Sequence, residues 1–242
     1  MANLKDIRNR IKSIKSIQQV TSAMKMVAAA KMRRAQENME VARPYSSRLS
    51  ELFESIINDI DRELMPELNV RPVNRTLFVV ITADRGMAGA FNANVLKEAH
   101  KSIDEVGKDK SDIICIGKKA VSYFKNREYP SIKNYTDFWN DLSYEDAIDI
   151  GSIMISLFID KKVDKVHAIY NRFVSVARQE VDNDVLLPMS YESDDKNQSA
   201  QQERLFEPSK EEVAKSLIPR LLNTKVWQYL LESNASEQAA RM

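Results

Sequence analysis

The stretch Leu4-Lys-Asp-Ile-Arg-Asn-Arg-Ile-Lys-Ser-Ile-Lys-Ser-Ile-Gln-Gln-Val-Thr-Ser-Ala-Met-Lys-Met-Val27 decides the fold. Its main apolar residues, Leu4, Ile7, Ile11, Ile14, Ile17, Val20, Met24 and Val27, are spaced by three or four and mark one face of a helix. Asn3 is a fair N-cap. Ala28, Ala29 and Ala30 continue the helix with residues that also let a second helix approach closely. Residues 1–43 hold neither Gly nor Pro. Pro44 is able to kink the helix, yet Tyr45, Leu49, Leu52, Phe53, Ile56, Ile57 and Ile60 resume the period. The spacing predicts one helix of roughly 55 residues, on the order of 80 Å long. A rod of that length does not fit inside a domain of this size, so it projects.

The same stretch carries the charge. Residues 1–36 hold nine bases and one acid, a net +8, so the rest of the chain sums to −7 within a whole-chain +1. The apparent neutrality of 36 Lys+Arg against 35 Asp+Glu is an average over two unlike parts. Glycine divides the chain too. It has only 5 in 242 residues, where the usual ~7% would give about 17, and all of them lie between Gly86 and Gly151. Few glycines and 29% charged residues favour long helices over a turn-rich sandwich or a glycine-rich nucleotide enzyme. One cysteine, Cys115, excludes an intramolecular disulfide framework and a cysteine zinc cluster. His100 and His167 leave little for histidine-based catalysis or metal binding. No apolar run approaches the roughly 18 residues of a spanning helix.

Between the ends, strands and helices alternate. Thr76–Thr82 reads as a buried strand, followed by a turn through Asp84-Arg-Gly-Met-Ala-Gly89 and a helix from about Ala93 to Val106. Asp112–Gly117 is a second strand, 118–127 a helix and 129–138 a weaker extended stretch. Ser143–Lys161 is helical, with Ser143 as N-cap and Asp146 three residues on. Val163–Tyr170 and Phe173–Met189 read as paired strands closed near Asn171-Arg172. This alternation predicts an α/β layer with a largely parallel sheet and an antiparallel edge. Residues 190–204 are polar and apolar-poor, a mobile loop. Ser209-Lys-Glu-Glu212 is a capping box before the stripe Val213, Leu217, Leu221, Leu222, Val226, Tyr229 and Leu230, in which Pro219 kinks the helix or starts its longer half.

Each candidate site has a bland reading beside it. The Gly86–Gly89 turn before a helix invites an anion, but GMAG lacks the third glycine of the dinucleotide fingerprint and there is no GxxxxGK[ST]. A tight βα turn is the preferred reading. Asp84 and Arg85 are weighed as a catalytic acid and anion clamp against a cap that orders the loop, and the cap is favoured. His100 reads as a solvated helix residue, His167 as a satisfied sheet residue and Cys115 as a core thiol. The basic N-terminal helix admits three readings: a nucleic-acid arm, a mitochondrial transit segment, or a partner helix that meets an acidic surface. Its bases are scattered around the helix and its period continues past residue 50, which favours the partner helix.

Three segments then carry a resemblance. Ile7-Arg-Asn-Arg-Ile-Lys-Ser-Ile14 with Ser22-Ala-Met-Lys-Met-Val-Ala-Ala-Ala-Lys-Met-Arg-Arg-Ala35 closely resembles the opening of the gamma subunit of F-type ATP synthase. Thr82-Ala-Asp-Arg-Gly-Met-Ala-Gly-Ala-Phe-Asn92 is similar to that family's S/T-D-R-G-L-C-G-G-F-N segment. Pro219-Arg-Leu-Leu222 and Leu231-Glu-Ser-Asn-Ala-Ser-Glu-Gln-Ala-Ala-Arg-Met242 resemble its C-terminal signature. The resemblance implies a long antiparallel coiled coil of the N- and C-terminal helices (1–60 and 209–242) with an inserted Rossmann-like α/β domain (61–208, of which 190–208 is the mobile loop). It implies a non-catalytic rotor shaft without cofactor or nucleic acid, whose partners are the alpha, beta and epsilon subunits and the c ring. Met24, Lys25, Lys31, Arg33 and Arg34 fall where the family's shaft faces an acidic loop of the beta subunit. Phe206 and Glu207 fall at the foot facing the c ring and epsilon, and Asp84, Arg85, Gly86 and Gly89 form a structural loop.

Two departures accompany it. The family's loop cysteine is Ala88 here. The family pattern also continues some tens of residues past A-R-M, so the C-terminal helix is expected to be cut short. Antiparallel pairing of the helix ends puts Met242 beside Lys25 and Ala239 beside Ala28, leaving the stripe from Leu4 to Ile17 without a partner helix. Because the match begins within a few residues of Met1, leaving no room for a transit segment, a bacterial source and the cytoplasmic face of the inner membrane are expected, with peripheral attachment. The alternatives are a small nucleotide-binding α/β protein with helical dimerisation arms and a basic coiled-coil scaffold for nucleic acid.

Overall fold

The apolar spacing of the first 60 residues produces the expected rod. Helix α1 runs unbroken from Leu4 to Ile57, with Pro44 inside it. The Asn3 carbonyl accepts from the amides of Asp6 and Ile7 at its start. The computed structural model describes residues 3–57, 60, 65–189, 207 and 209–242. The predicted mobile loop, 190–208, therefore lies outside the described residues except for Glu207.

The remaining elements are β1 (Thr76–Ile81), α2 (Phe91–Val106), β2 (Ser111–Ile116), α3 (Lys118–Lys125), β3 (Ser131–Tyr135), α4 (Tyr144–Ile159), β4 (Lys165–Ser175), β5 (Arg178–Leu187) and α5 (Lys210–Arg241). The sheet order is β3-β2-β1-β4-β5. Four strands are parallel and β5 is the antiparallel edge, as the alternating pattern predicts. Strand β1 is buried throughout and splits its side chains by parity. Leu77, Val79 and Ile81 enter a large core with α4, α5 and the end of α1, including Phe53, Ile56 and Ile57. Phe78 and Val80 enter a second core with α2 and α3. Cys115 belongs to that second core, and burial pushes its thiol up to about 12, the behaviour of a core thiol.

The caps are where the sequence puts them. Ser143 and Asp146 form a reciprocal capping box on α4, and the Ser209 hydroxyl accepts from the Glu212 amide at the start of α5. Pro219 lies within a continuous α5. Gly151 lets α4 and α5 approach closely: a Cβ there would sit 2.0 Å from Asn223 Oδ1.

Two expectations fail. The ribbon of β4 and β5 does not close at Asn171-Arg172 but beyond Ser175, which pairs with Arg178. Both residues lie within the paired strands, and both side chains have partners. The Asn171 amide donates to the Phe91 carbonyl, and Arg172 reaches Glu180 and Asp182 on β5. His100 is not simply solvated either. It packs edge-on against the rings of Tyr123 and Tyr129 and lies 3.5 Å from Asp104. His167 is the satisfied sheet residue expected, tilted on Phe78 with Nδ1 2.7 Å from Asn183 Oδ1.

Helices α1 and α5 pair antiparallel. Ala35 and Met39 cluster with Leu231 and Ala235, close to the anticipated register. Burial on α1 begins at Ala28. Ahead of it the apolar stripe is open to solvent, from Leu4 at 74% exposed to Met24 at 41%.

A buried ion pair fastens the lower edge of the sheet. Arg71 Nε donates to Asp164 Oδ1 at 2.6 Å, while the amides of Asn74 and Arg75 donate to Oδ2. Burial pushes this carboxyl up, but the donors from Asn74, Arg71 and Arg75 outweigh it and hold the pKa below the usual carboxylate value. Its contribution is therefore present above the unfolded pKa and lost as pH falls through the lower folded value. Asp164→Asn should lower stability by about 1.5–3 kcal/mol at neutral pH. Urea denaturation of both proteins should show that deficit shrinking as pH falls below the ordinary Asp pKa of about 3.9.

Candidate functional site

The loop after β1 is built by capping. Thr82 Oγ1 donates to the Ile116 carbonyl and accepts from the Ala120 amide. Asp84 Oδ1 accepts from the Lys118 amide at 2.9 Å, and Oδ2 accepts from the Asp137 amide at 2.9 Å. Asp84 is thus a cap that orders a loop, but for α3, 34 residues on, and not for the helix that follows it. The approach requires Gly117, at φ +90°: a Cβ there would lie 2.1 Å from the Thr82 carbonyl. Asn92 closes the loop from the other side, its Oδ1 accepting from the Ala83 amide and its Nδ2 donating to the Arg85 carbonyl.

The end of α5 docks on this loop. Arg241 holds Glu237 with Nε at 2.8 Å and Nη2 at 2.6 Å, and also donates to the Gly86 carbonyl at 2.9 Å and the Arg85 carbonyl at 3.4 Å. Gly89 lies under the Ala240 carbonyl, and Ala240 packs on Ala83, Ala88 and Phe91. One turn earlier, Ser236 donates to the Asn171 carbonyl. This is the crevice between β1 and β4 where the strand order reverses, the usual ligand position in a doubly wound sheet. Here α5 fills it, so the glycine turn is a tight βα turn rather than a phosphate cradle.

On its other side α5 faces α1 across a crevice of about 710 Å³. Met24, Lys31 and Arg34 line it from α1, Asp84 and Arg85 from the loop, and Gln238 and Arg241 from α5. Five of the residues anticipated from the sequence thus share one cavity. Lys25 and Arg33 are exposed on α1 outside it. Lys31 donates to Asn140 Oδ1 at 3.2 Å. Arg33 makes an exposed pair with Glu37 at 3.1 Å, of little energetic weight. Glu207 is exposed, and Phe206 lies outside the described residues. Sequence reasoning missed Arg241, Glu237, Gln238, Trp139 and Asn140. The i,i+4 spacing of Glu237 and Arg241 was the one available signal.

Chemically the crevice offers cations and amides. Among the described residues no three His, Cys, Asp or Glu side chains come together as a metal site. Burial pushes the Glu237 carboxyl up, against the pull of Arg241. Arg241→Ala would leave that carboxylate buried and unpaired, at a cost of roughly 3 kcal/mol. Arg241→Met combined with Glu237→Gln should cost less than the single change, a comparison that chemical denaturation midpoints read directly.

The ATP synthase family model matches residues 3–242. The ATP synthase gamma chain of Prosthecochloris aestuarii is 45% identical over 249 residues, covering 100% of this chain and 84% of the relative. That of Chlorobium chlorochromatii is 42% identical over 248 residues, covering 100% and 85%. Among solved structures, the central stalk and c-ring of the Tetrahymena thermophila mitochondrial ATP synthase includes a chain with the same fold. It aligns at a TM-score of 0.70 and 22% identity over 92% of this chain and 96% of that one. A chain of the Euglena gracilis mitochondrial ATP synthase rotor aligns at 0.67 and 21% identity, covering 97% and 86%. The chain belongs to the ATP synthase gamma chain family.

Proposed function

We propose that this chain is the central rotor shaft of an F-type ATP synthase, coupling proton-driven rotation of a c ring to conformational cycling of the catalytic beta subunits. The observation that carries this reading is the division of α1. Its C-terminal half is locked to α5 and the sheet, while its basic first turns, ahead of Val20, stand clear of the domain. A shaft acts only through contacts that differ between the conformations of its partners. Lys25, Lys31, Arg33 and Arg34, with Met24 among them, supply a positive surface for an acidic loop of each beta subunit in turn. The chain itself does no chemistry in this account.

The foot is the α/β domain, with Phe206 and Glu207 directed to the c ring and the epsilon subunit. No helix among the described residues is long and apolar enough to cross a membrane. In this reading attachment is through the complex, at the cytoplasmic face of a bacterial inner membrane.

Mixing the chain with alpha and beta subunits of a close relative tests the reading. A stable complex with raised ATPase activity is expected. Lys31→Glu with Arg34→Glu should weaken that effect, more so at low salt where exposed charges are least screened. A wild-type chain that neither assembles nor changes ATP turnover would remove the rotor reading.

A further inference from the structure

The crevice between α1, the Asp84 loop and the end of α5 holds an electrostatic remainder. Its three carboxylates are engaged internally. Asp84 accepts the two amides already described, Asp137 pairs with Lys118 Nζ at 2.6 Å, and Glu237 is held by Arg241. Lys31, Arg34 and Arg85 line the same walls, and none of them forms an ion pair with a carboxylate among the described residues, although the charge of Lys31 acts on Glu237. Asp84, held only by neutral amides, offsets part of this, and five bases against three acids leave the lining with a net charge of +2.

A second observation points the same way. Gln238 lines the crevice and is only 8% exposed. The indole N–H of Trp139, which lines the crevice too, is buried without a partner among the described residues. A buried polar group left unpaired costs free energy that a ligand acceptor recovers. The cavity thus combines cations outside any ion pair with an unpaired donor. At about 710 Å³ it has the size of a small-molecule site. Arginine's planar fork suits phosphate oxygens, and Trp139, stacked on Phe138 at 4.9 Å, adds a flat apolar wall.

We propose that this crevice binds a polyphosphate group, either free or carried on a nucleoside. The site rests on the geometry of this chain alone. Only its consequence rests on the rotor reading: an occupant would compete with the beta subunits for Lys31 and Arg34 and so weaken their grip on the shaft.

Calorimetric titration of the chain with inorganic tripolyphosphate, and separately with ATP without magnesium, tests it. One saturable site is expected. Arg34→Ala and Arg85→Ala should each weaken binding about tenfold or more, and Gln238→Leu several-fold. Lys101→Ala, a surface change on α2, should stay within about twofold. Equal affinity for the two ligands identifies the phosphate chain as the determinant. Tighter ATP binding that Trp139→Leu abolishes identifies a nucleotide. Absence of saturable binding by either ligand, or equal losses in Lys101→Ala, would overturn the proposal. A chain that assembles with alpha and beta subunits but binds neither ligand keeps the rotor and loses the site. A chain that binds but does not assemble does the reverse.

Discussion

Helix α5 is wedged between α1 and strand β4, and the rest of the molecule is arranged around that contact. Toward α1 it presents Leu231 and Ala235 against Ala35 and Met39. Toward the sheet, Tyr229 stacks on Tyr170 with ring centroids 4.2 Å apart and donates its hydroxyl to Asp184. Ser236 and Arg241 extend the seam to Asn171 and the Arg85–Gly86 carbonyls. Stacked aromatics of this kind contribute about 0.5–1.5 kcal/mol beyond the area they bury. Removal of the wedge would strip α1 of its partner, open the β1–β4 crevice and abolish the basic cavity together.

The wedge also explains the placement of charge. A helix enclosed on both sides cannot leave polar groups unpartnered without cost, and α5 buries Glu232 and Glu237. Glu237 is answered by Arg241, whereas Glu232 receives the Gln228 amide on one oxygen and burial pushes its pKa up. With the acids of the cavity consumed internally, the bases of α1 remain for an external partner. In a rotor, load entering through the sheet would pass by way of β4 and α5 into α1, a route built from side-chain hydrogen bonds and stacking rather than from flexible loop.

Much of this was legible from periodicity. The steps of three and four from Leu4 to Ile57 gave α1 nearly to the residue, because one apolar face of a long helix is a strong local signal. The β-branched run at 76–82 and the Ser143 cap were legible for the same local reason. What was hidden depends on contacts between distant residues. Asn171-Arg172 has the composition of a turn, and only the partners Phe91, Glu180 and Asp182 make it strand. Asp84 precedes α2, yet Gly117 brings the start of α3 within its reach. Gln238 looks like an ordinary helix-surface residue until α1 and the loop close around it. Of the candidate site, Lys31 and Arg34 were readable from the +8 segment, and the cavity that gathers them with Arg85 was not.

The central claim is that the two terminal helices turn as one body inside the catalytic subunits. Its most direct test is single-molecule rotation. A probe is fixed to the exposed face of the α/β domain, the chain is assembled with surface-anchored alpha and beta subunits, and ATP is supplied. The account predicts sustained rotation in one sense that stops when ATP is withdrawn. A probe that stays fixed, or that fluctuates without direction while the complex hydrolyses ATP, would contradict it.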